Sequence, residues 1–318
     1  MSSHFLYGRN PVGAAASATF GCVTTGAATL TIAELTVSAP TVVDWGDGST
    51  DTYTGAGART HNYAGAGTFL VSIRQPQNVT ALTLSDNKIV LTSAGIAPCV
   101  NMTAFTATGV KSGTFNSADV SAWRPTDFRL YSMPAGYAGT FNSADVPAWR
   151  PTYFLLYSLP AGYAGTFDSA DVSAWRPTIF YLYSMPAGYA GTFNSADVSA
   201  WLPTTFYLFS MPAGYAITAG GGFVGWTTTT NFQMQSNALP QATVDAILLE
   251  LYQASIAPRT VAGGTINVGG TNAAPSGTFQ AVASPPVSAA TPGKEIAYEL
   301  LNDSLGLFDN RATVAITA

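Results

Sequence analysis

A 26-residue unit repeated four times constrains this chain more than any other feature. GTFNSADVSAWRPTDFRLYSMPAGYA begins at Gly113 and returns, nearly unchanged, at Gly139, Gly165 and Gly191. Trp123, Trp149, Trp175 and Trp201 keep register, as do Tyr137, Tyr163, Tyr189 and Tyr215. Units this short cover their apolar side only by stacking on a neighbour, so the array is expected to form one elongated stack with a shared interior. Phe128 and Leu130, Phe154 and Leu156, Phe180 and Leu182, and Phe206 and Leu208 occupy alternate positions after a Pro. Period two predicts one strand per unit with these pairs facing inward. In the rest of the unit, Asn116 or Ser117 is expected to cap a short helical turn. Asp119 sits near the positive end of that turn, Val120 and Trp123 face the core, and Pro125 stops it.

The alternation extends past the near-identical copies. Leu82-x-Leu84, Phe105-x-Ala107 and Phe232-x-Met234 add three rungs, and Ile266-x-Val268 offers a further one. Between the last two, Val244, Ile247, Leu248 and Leu251 share one helical face, and Pro240 suits the first turn. A second helical segment over Glu295 to Leu301 and a last strand over Ala312 to Thr317 complete an atypical end, as a stacked array requires.

Composition narrows the function classes. Only 9% of residues are charged and the net charge is −5, which argues against nucleic-acid binding by bulk charge. With 47% hydrophobic residues, 31 Gly and 19 Pro, the chain has enough apolar material for a large core and favours strands and tight turns over long helices. Neither a secretory signal nor an apolar run long enough for a membrane span is visible. Cys22 and Cys99 permit one disulfide, but nothing in their spacing calls for a metal site and buried free thiols are the expectation.

Two family resemblances rest on specific residues. Leu82, Leu84, Asn87 and Ile89 in LTLSDNKI resemble the strand of leucine-rich repeats. The later units carry Met133 or Leu159 where that Asn falls, and their F-N-x-A-D-V-S-x-W core is similar to the degenerate BspA-like type. This resemblance covers roughly residues 79 to 275. Ahead of it, VVDWGDGST (Val42 to Thr50) and HNYAGAGTFLVSI (His61 to Ile73) resemble the signature of polycystic-kidney-disease (PKD) domains. Those are β-sandwiches that serve as spacers or protein contacts. A third resemblance, in TVDAILLEL and INVGGTNAAPSG, is to segments that close phage structural and fibre-like proteins. Together these imply a mainly β chain of three parts. Residues 1–78 form an N-terminal arm and a PKD/Ig-like β-sandwich, and 79–235 a leucine-rich-repeat-like solenoid with short helical returns. Residues 236–318 are a divergent repeat and a helix-containing C-terminal cap.

Candidate chemistry is sparse. His4 and His61 are the two histidines, and His61 falls in the PKD-like H-x-Y element, where packing beside a turn is the expected role. Asp44, Asp47 and Asp51 have spacing compatible with calcium, but Asp47-Gly48 reads better as a tight turn. No phosphate, zinc or redox motif appears, so no catalytic residue, metal or cofactor is assigned. Asp119, Asp145, Asp171 and Asp197 align in one column and Arg124, Arg150 and Arg176 in another, broken at Leu202, and the two columns are expected to neutralise each other.

The sharpest functional candidate is aromatic. Tyr131, Tyr157, Tyr183 and Phe209, widened by Tyr181 and Tyr207, form a stripe on the outward strand face. Such a stripe suits a glycan or protein partner; equally, the rings can stack on one another to stabilise the array, or a second copy of the chain can cover them. Near-identity of the units points to selection on a scaffold. The expectation is therefore a non-enzymatic structural or binding protein on a bacteriophage virion surface: a decoration, fibre or host-attachment component. It would contact other virion proteins, a host-surface glycan or protein and further copies of itself, with no nucleic acid and no membrane span. The alternative is a bacterial cell-surface or extracellular adhesin that binds through the same face.

Overall fold

The computed structural model describes residues 16–256, 264–283, 287–302 and 312–315. Most of the expected N-terminal arm, His4 included, and the end of the expected last strand lie outside the described residues. The chain is mainly β with few helices. Among the described residues, no helix is long and apolar enough to cross a membrane.

Six strands build the N-terminal part: β1 (Ala18–Thr24), β2 (Ala28–Ile32), β3 (Glu34–Asp44), β4 (Thr50–Gly55), β5 (Arg59–Tyr63) and β6 (Gly67–Ile73). All their pairings with one another are antiparallel: β1 with β6, β3 with β4 and β6, and β2 with β5. Strict alternation puts Ala18, Phe20, Cys22 and Thr24 of β1 inside, and Trp45, just after β3, is fully buried.

From residue 79 the chain winds through coils that contribute strands to two parallel ladders. The first ladder contains β7 (Val79–Leu84), β9 (Ala104–Thr108), β11 (Asp127–Tyr131), β13 (Tyr153–Tyr157), β15 (Ile179–Tyr183), β17 (Thr205–Phe209), β19 (Asn231–Gln233), β20 (Gly264–Asn267) and β21 (Ala312–Ala315). Its register pairs Leu82 with Phe105, then Phe128, Phe154, Phe180, Phe206, Phe232 and Ile266. Those eight side chains are buried, as the alternation predicts. Successive Phe rings from Phe105 to Phe232 stack at 5.4–5.9 Å. Each buried ring contributes about 2–3 kcal/mol of transfer free energy.

The second ladder is a correction to the one-strand unit. It consists of β8 (Ile89–Thr92), β10 (Ser112–Asn116), β12 (Tyr137–Thr140), β14 (Tyr163–Thr166), β16 (Tyr189–Asn194) and β18 (Tyr215–Thr218), paired in parallel along the stack. Three of them, β12, β14 and β16, contain Tyr-Ala-Gly-Thr, too short and glycine-rich to show a period of two. Only their stacking makes them strands. The expected helical turn is a 3-10 turn at Ser117–Val120 and its counterparts. Asn116 does not cap its turn, and its Oδ1 instead accepts from the backbone N–H of Thr140 in the next coil, at 3.1 Å, whereas in the last copy Asn194 Oδ1 does cap, accepting from the Ala196 N–H at 3.0 Å. Val120 and Trp123 are fully buried, as expected.

The N-terminal part closes both ladders at one end. β3 pairs antiparallel with β7, setting Leu35 opposite Leu82, and β1 pairs antiparallel with β8, setting Cys22 opposite Ile89. Hydrogen-bonded sheet therefore runs across the expected boundary between residues 78 and 79, and the two exposed strand edges are covered. A short helix α1 (Ser93–Ile96) follows β8; at the far end, the helix α2 (Gln241–Ile256) follows β19, and α3 (Gly293–Asn302) includes the expected helical segment from Glu295. Val244, Ile247, Leu248 and Leu251 of α2 are buried, as their shared face predicts.

Candidate functional site

The outward face of the first ladder carries the aromatic stripe. Each strand there shows the same alternation, with Phe and Leu buried and the residues between them half-buried. Parallel in-register pairing places Tyr131, Tyr157, Tyr183 and Phe209 side by side, with ring centroids 4.9, 4.5 and 4.3 Å apart and planes within 13° of parallel. Tyr181 and Tyr207 form a second stack at 4.4 Å, joined to the first by edge contacts of 6.2 Å. All six predicted site residues are thus brought together. Partial burial raises the hydroxyl pKa values of Tyr157, Tyr181 and Tyr183 above the ordinary phenol value, so these groups are neutral donors at physiological pH. Because the rings within each stack use their faces on one another, the stripe offers mainly ring edges and hydroxyl tips to a partner. The face continues into Tyr153, over which the Arg129 guanidinium lies at 5.5 Å, itself paired with Asp127 at 2.7 Å.

The acidic and basic columns do not neutralise each other. The aspartates bind a column of buried serines: Ser93, Ser117, Ser143 and Ser169 donate to Asp119, Asp145, Asp171 and Asp197 at 2.5–2.6 Å. Each serine oxygen also accepts a backbone N–H from the next coil, at 2.8 Å. The result is a continuous polar seam in which every coil fastens its successor. The arginines turn back on their own coils: Nη1 of Arg124, Arg150 and Arg176 donates to the Trp carbonyl just before it and to the carbonyl three residues before it. The repeated Ser-Ala-Asp triplet was the available signal for the seam. Its partner assignment required the stack, because the bonded Ser and Asp belong to different coils.

The seam is closed at both ends by other elements. In the first coil, Gly95 stands where the repeats have Asp, and a Cβ at Gly95 would come within 2.3 Å of the Thr19 carbonyl of β1. Beyond Asp197, which serves Ser169, the chain has no acidic residue before Asp245. Glu250 of α2 supplies the missing carboxylate, accepting from Ser195 Oγ at 2.9 Å and from the backbone N–H groups of Gly221 and Phe223 at 2.7 and 3.0 Å.

The loop between β3 and β4 brings Asp47 and Ser49 close to His61 of β5. Asp47 Oδ2 lies 2.7 Å and Ser49 Oγ 3.4 Å from His61, but both approach Nε2. A nucleophile and base arranged for relay need the two ring nitrogens to serve different partners. The His61 ring stacks on Trp45 at 5.0 Å, the expected packing role beside a turn. Asp47 Oδ1 accepts from the Ser49 backbone and hydroxyl, which builds the tight turn. Asp44 pairs with Arg74 and Asp51 accepts from the Trp45 indole, so the three carboxylates serve separate partners. Among the described residues, no group of three or more His, Cys, Asp or Glu is gathered for a metal. Cys22 and Cys99 are free and buried; burial pushes the Cys99 thiol up to about 12.

Hydrogen bonds from Ser49, with His61 beside it, hold the Asp47 carboxyl down at about 2, against about 3.9 for a free aspartate. A folded-state pKa below the unfolded one gives stability that is present above about pH 4 and lost as pH falls through 2. The Asp47→Asn variant should melt lower than wild type at pH 5, and the gap should narrow toward pH 2 in thermal scans. A gap independent of pH would mean that the carboxylate charge plays no part in the turn.

Comparison of the chain with protein-family models, with curated proteins and with solved structures finds no match.

Proposed function

We propose that the chain is a non-enzymatic display scaffold, a surface component of a bacteriophage virion, that attaches to its target through the aromatic face. The observation that carries this reading is the half-exposed double stack of Tyr131, Tyr157, Tyr183 and Phe209 with Tyr181 and Tyr207. Rigid rings already held by their neighbours lose little conformational freedom when a partner docks. The resemblances of the sequence to PKD domains, BspA-like repeats and phage fibre-like segments support the same class. The alternative, a bacterial cell-surface adhesin, uses the same face and differs in where the chain is anchored.

The test is a double variant, Tyr157→Ala with Tyr183→Ala. It should reduce attachment to target cells at least tenfold while the far-ultraviolet circular dichroism stays that of the wild type. Full attachment by the folded double variant would reject the role of this face. Electron microscopy with an antibody against the chain separates the two anchorages, since label on particles supports the virion and label confined to cell envelopes supports the adhesin.

A further inference from the structure

With the aspartates consumed by the serine seam, the arginine column has no counter-ion among the described residues. Arg124, Arg150 and Arg176 are exposed, and none has a carboxylate within ion-pair distance among the described residues. They occupy equivalent positions on consecutive coils, three residues ahead of the paired residues Asp127, Tyr153 and Ile179. Successive backbone positions are therefore one strand spacing apart, about 4.8 Å. Like charges in such a file repel, and in an acidic chain of net charge −5 the file is a local positive line. The two carbonyl bonds of each Nη1 fix the guanidinium, and among the described residues Nε and Nη2 have no protein acceptor. The residues beside the file, Ser121, Ala122, Pro147, Ala148, Ser173 and Ala174, are exposed and small, so a chain-like partner can approach closely.

We propose that this file binds a carboxylate-bearing linear polysaccharide, laid along the stack with its charges on the three guanidinium groups. A linear file of cations selects a polymer over a compact anion, and guanidinium forks suit carboxylates. A polymer of moderate charge density fits better than a nucleic acid. Three cations on a net acidic chain supply little of the phosphate neutralisation on which nucleic-acid affinity depends. The inference is independent of the aromatic face.

Leu202 gives a direct test, because it occupies the next position of the file and is 52% exposed. Polygalacturonate, a neutral glucan and single-stranded polynucleotide are titrated against the full chain, Leu202→Arg, and the triple variant Arg124→Gln, Arg150→Gln, Arg176→Gln. Wild type should bind polygalacturonate and not the glucan, and should lose about 20-fold in affinity between 50 and 200 mM salt. Leu202→Arg should bind more tightly at low salt and lose about 50-fold over the same range, as a fourth cation requires. The triple variant should not bind. Should the triple variant fold poorly, Leu202→Arg alone decides, since a gain of affinity cannot come from unfolding. Equal binding by wild type and Leu202→Arg, or tighter binding to polynucleotide than to polygalacturonate, would overturn the proposal. The Tyr157→Ala, Tyr183→Ala variant should retain polygalacturonate binding even if cell attachment is lost, which separates this site from the aromatic one.

Discussion

Glu250→Ala should lower the stability of the C-terminal end by about 3 kcal/mol or more. The substitution strands three donors at once: the Ser195 hydroxyl and the backbone N–H groups of Gly221 and Phe223. Ser195 and Phe223 are fully buried and Glu250 is 6% exposed, so bulk water does not replace the lost acceptor freely. Each buried donor left unsatisfied costs about 1–3 kcal/mol, and part of that is offset because the carboxylate no longer has to be desolvated. Glu250→Gln keeps one acceptor oxygen and should fall between the two. Hydrogen exchange resolved by peptide should show the loss first in α2 and β18, with the N-terminal strands protected as in wild type. Unchanged exchange in α2 would mean that apolar packing of Val244, Ile247, Leu248 and Leu251 holds the helix without the seam.

Gly165→Ala should be more damaging still, at about 4 kcal/mol. Gly165 has φ of +135°, a conformation open to glycine and strained for alanine. A Cβ there would also stand 2.2 Å from the Phe141 carbonyl of the preceding coil. The clash is with backbone, so no side-chain rotation relieves it and the two coils must separate. Gly214→Ala is the matched control, because a Cβ at Gly214 meets nothing within 4 Å. Its urea midpoint should match wild type, whereas that of Gly165→Ala should fall sharply. Equal midpoints would contradict the close approach of coils on which the second ladder depends.

Part of this architecture was legible in the residues. The Phe and Leu pairs announced the first ladder, because a strand with one buried face must alternate. Val244, Ile247, Leu248 and Leu251 announced α2 in the same way. The second ladder was not legible, since Tyr-Ala-Gly-Thr carries no period and becomes a strand only beside its own copy. Nor was the fate of the charges. Parallel columns of Asp and Arg invite pairing, yet the aspartates lie next to serine hydroxyls of the coil before and the arginines next to carbonyls of their own turn. The candidate aromatic face was legible as a set of residues, but its geometry, rings spending their faces on one another, came from the register.

Local order was therefore written into the chain by itself: a repeated unit, an alternating strand, a capping helix and a predominance of strand over helix all follow from periodicity and residue type. What only the tertiary structure decided was which coil each polar group addresses, how the N-terminal strands seal both ladders, and that a glutamate from α2 completes a seam begun at Ser93. The physical reason is range. Alternation and turn preference act between neighbours along the chain, whereas a hydroxyl bonded 28 residues away, or a carboxylate reaching 55 residues back to Ser195, exists only once the coils have stacked.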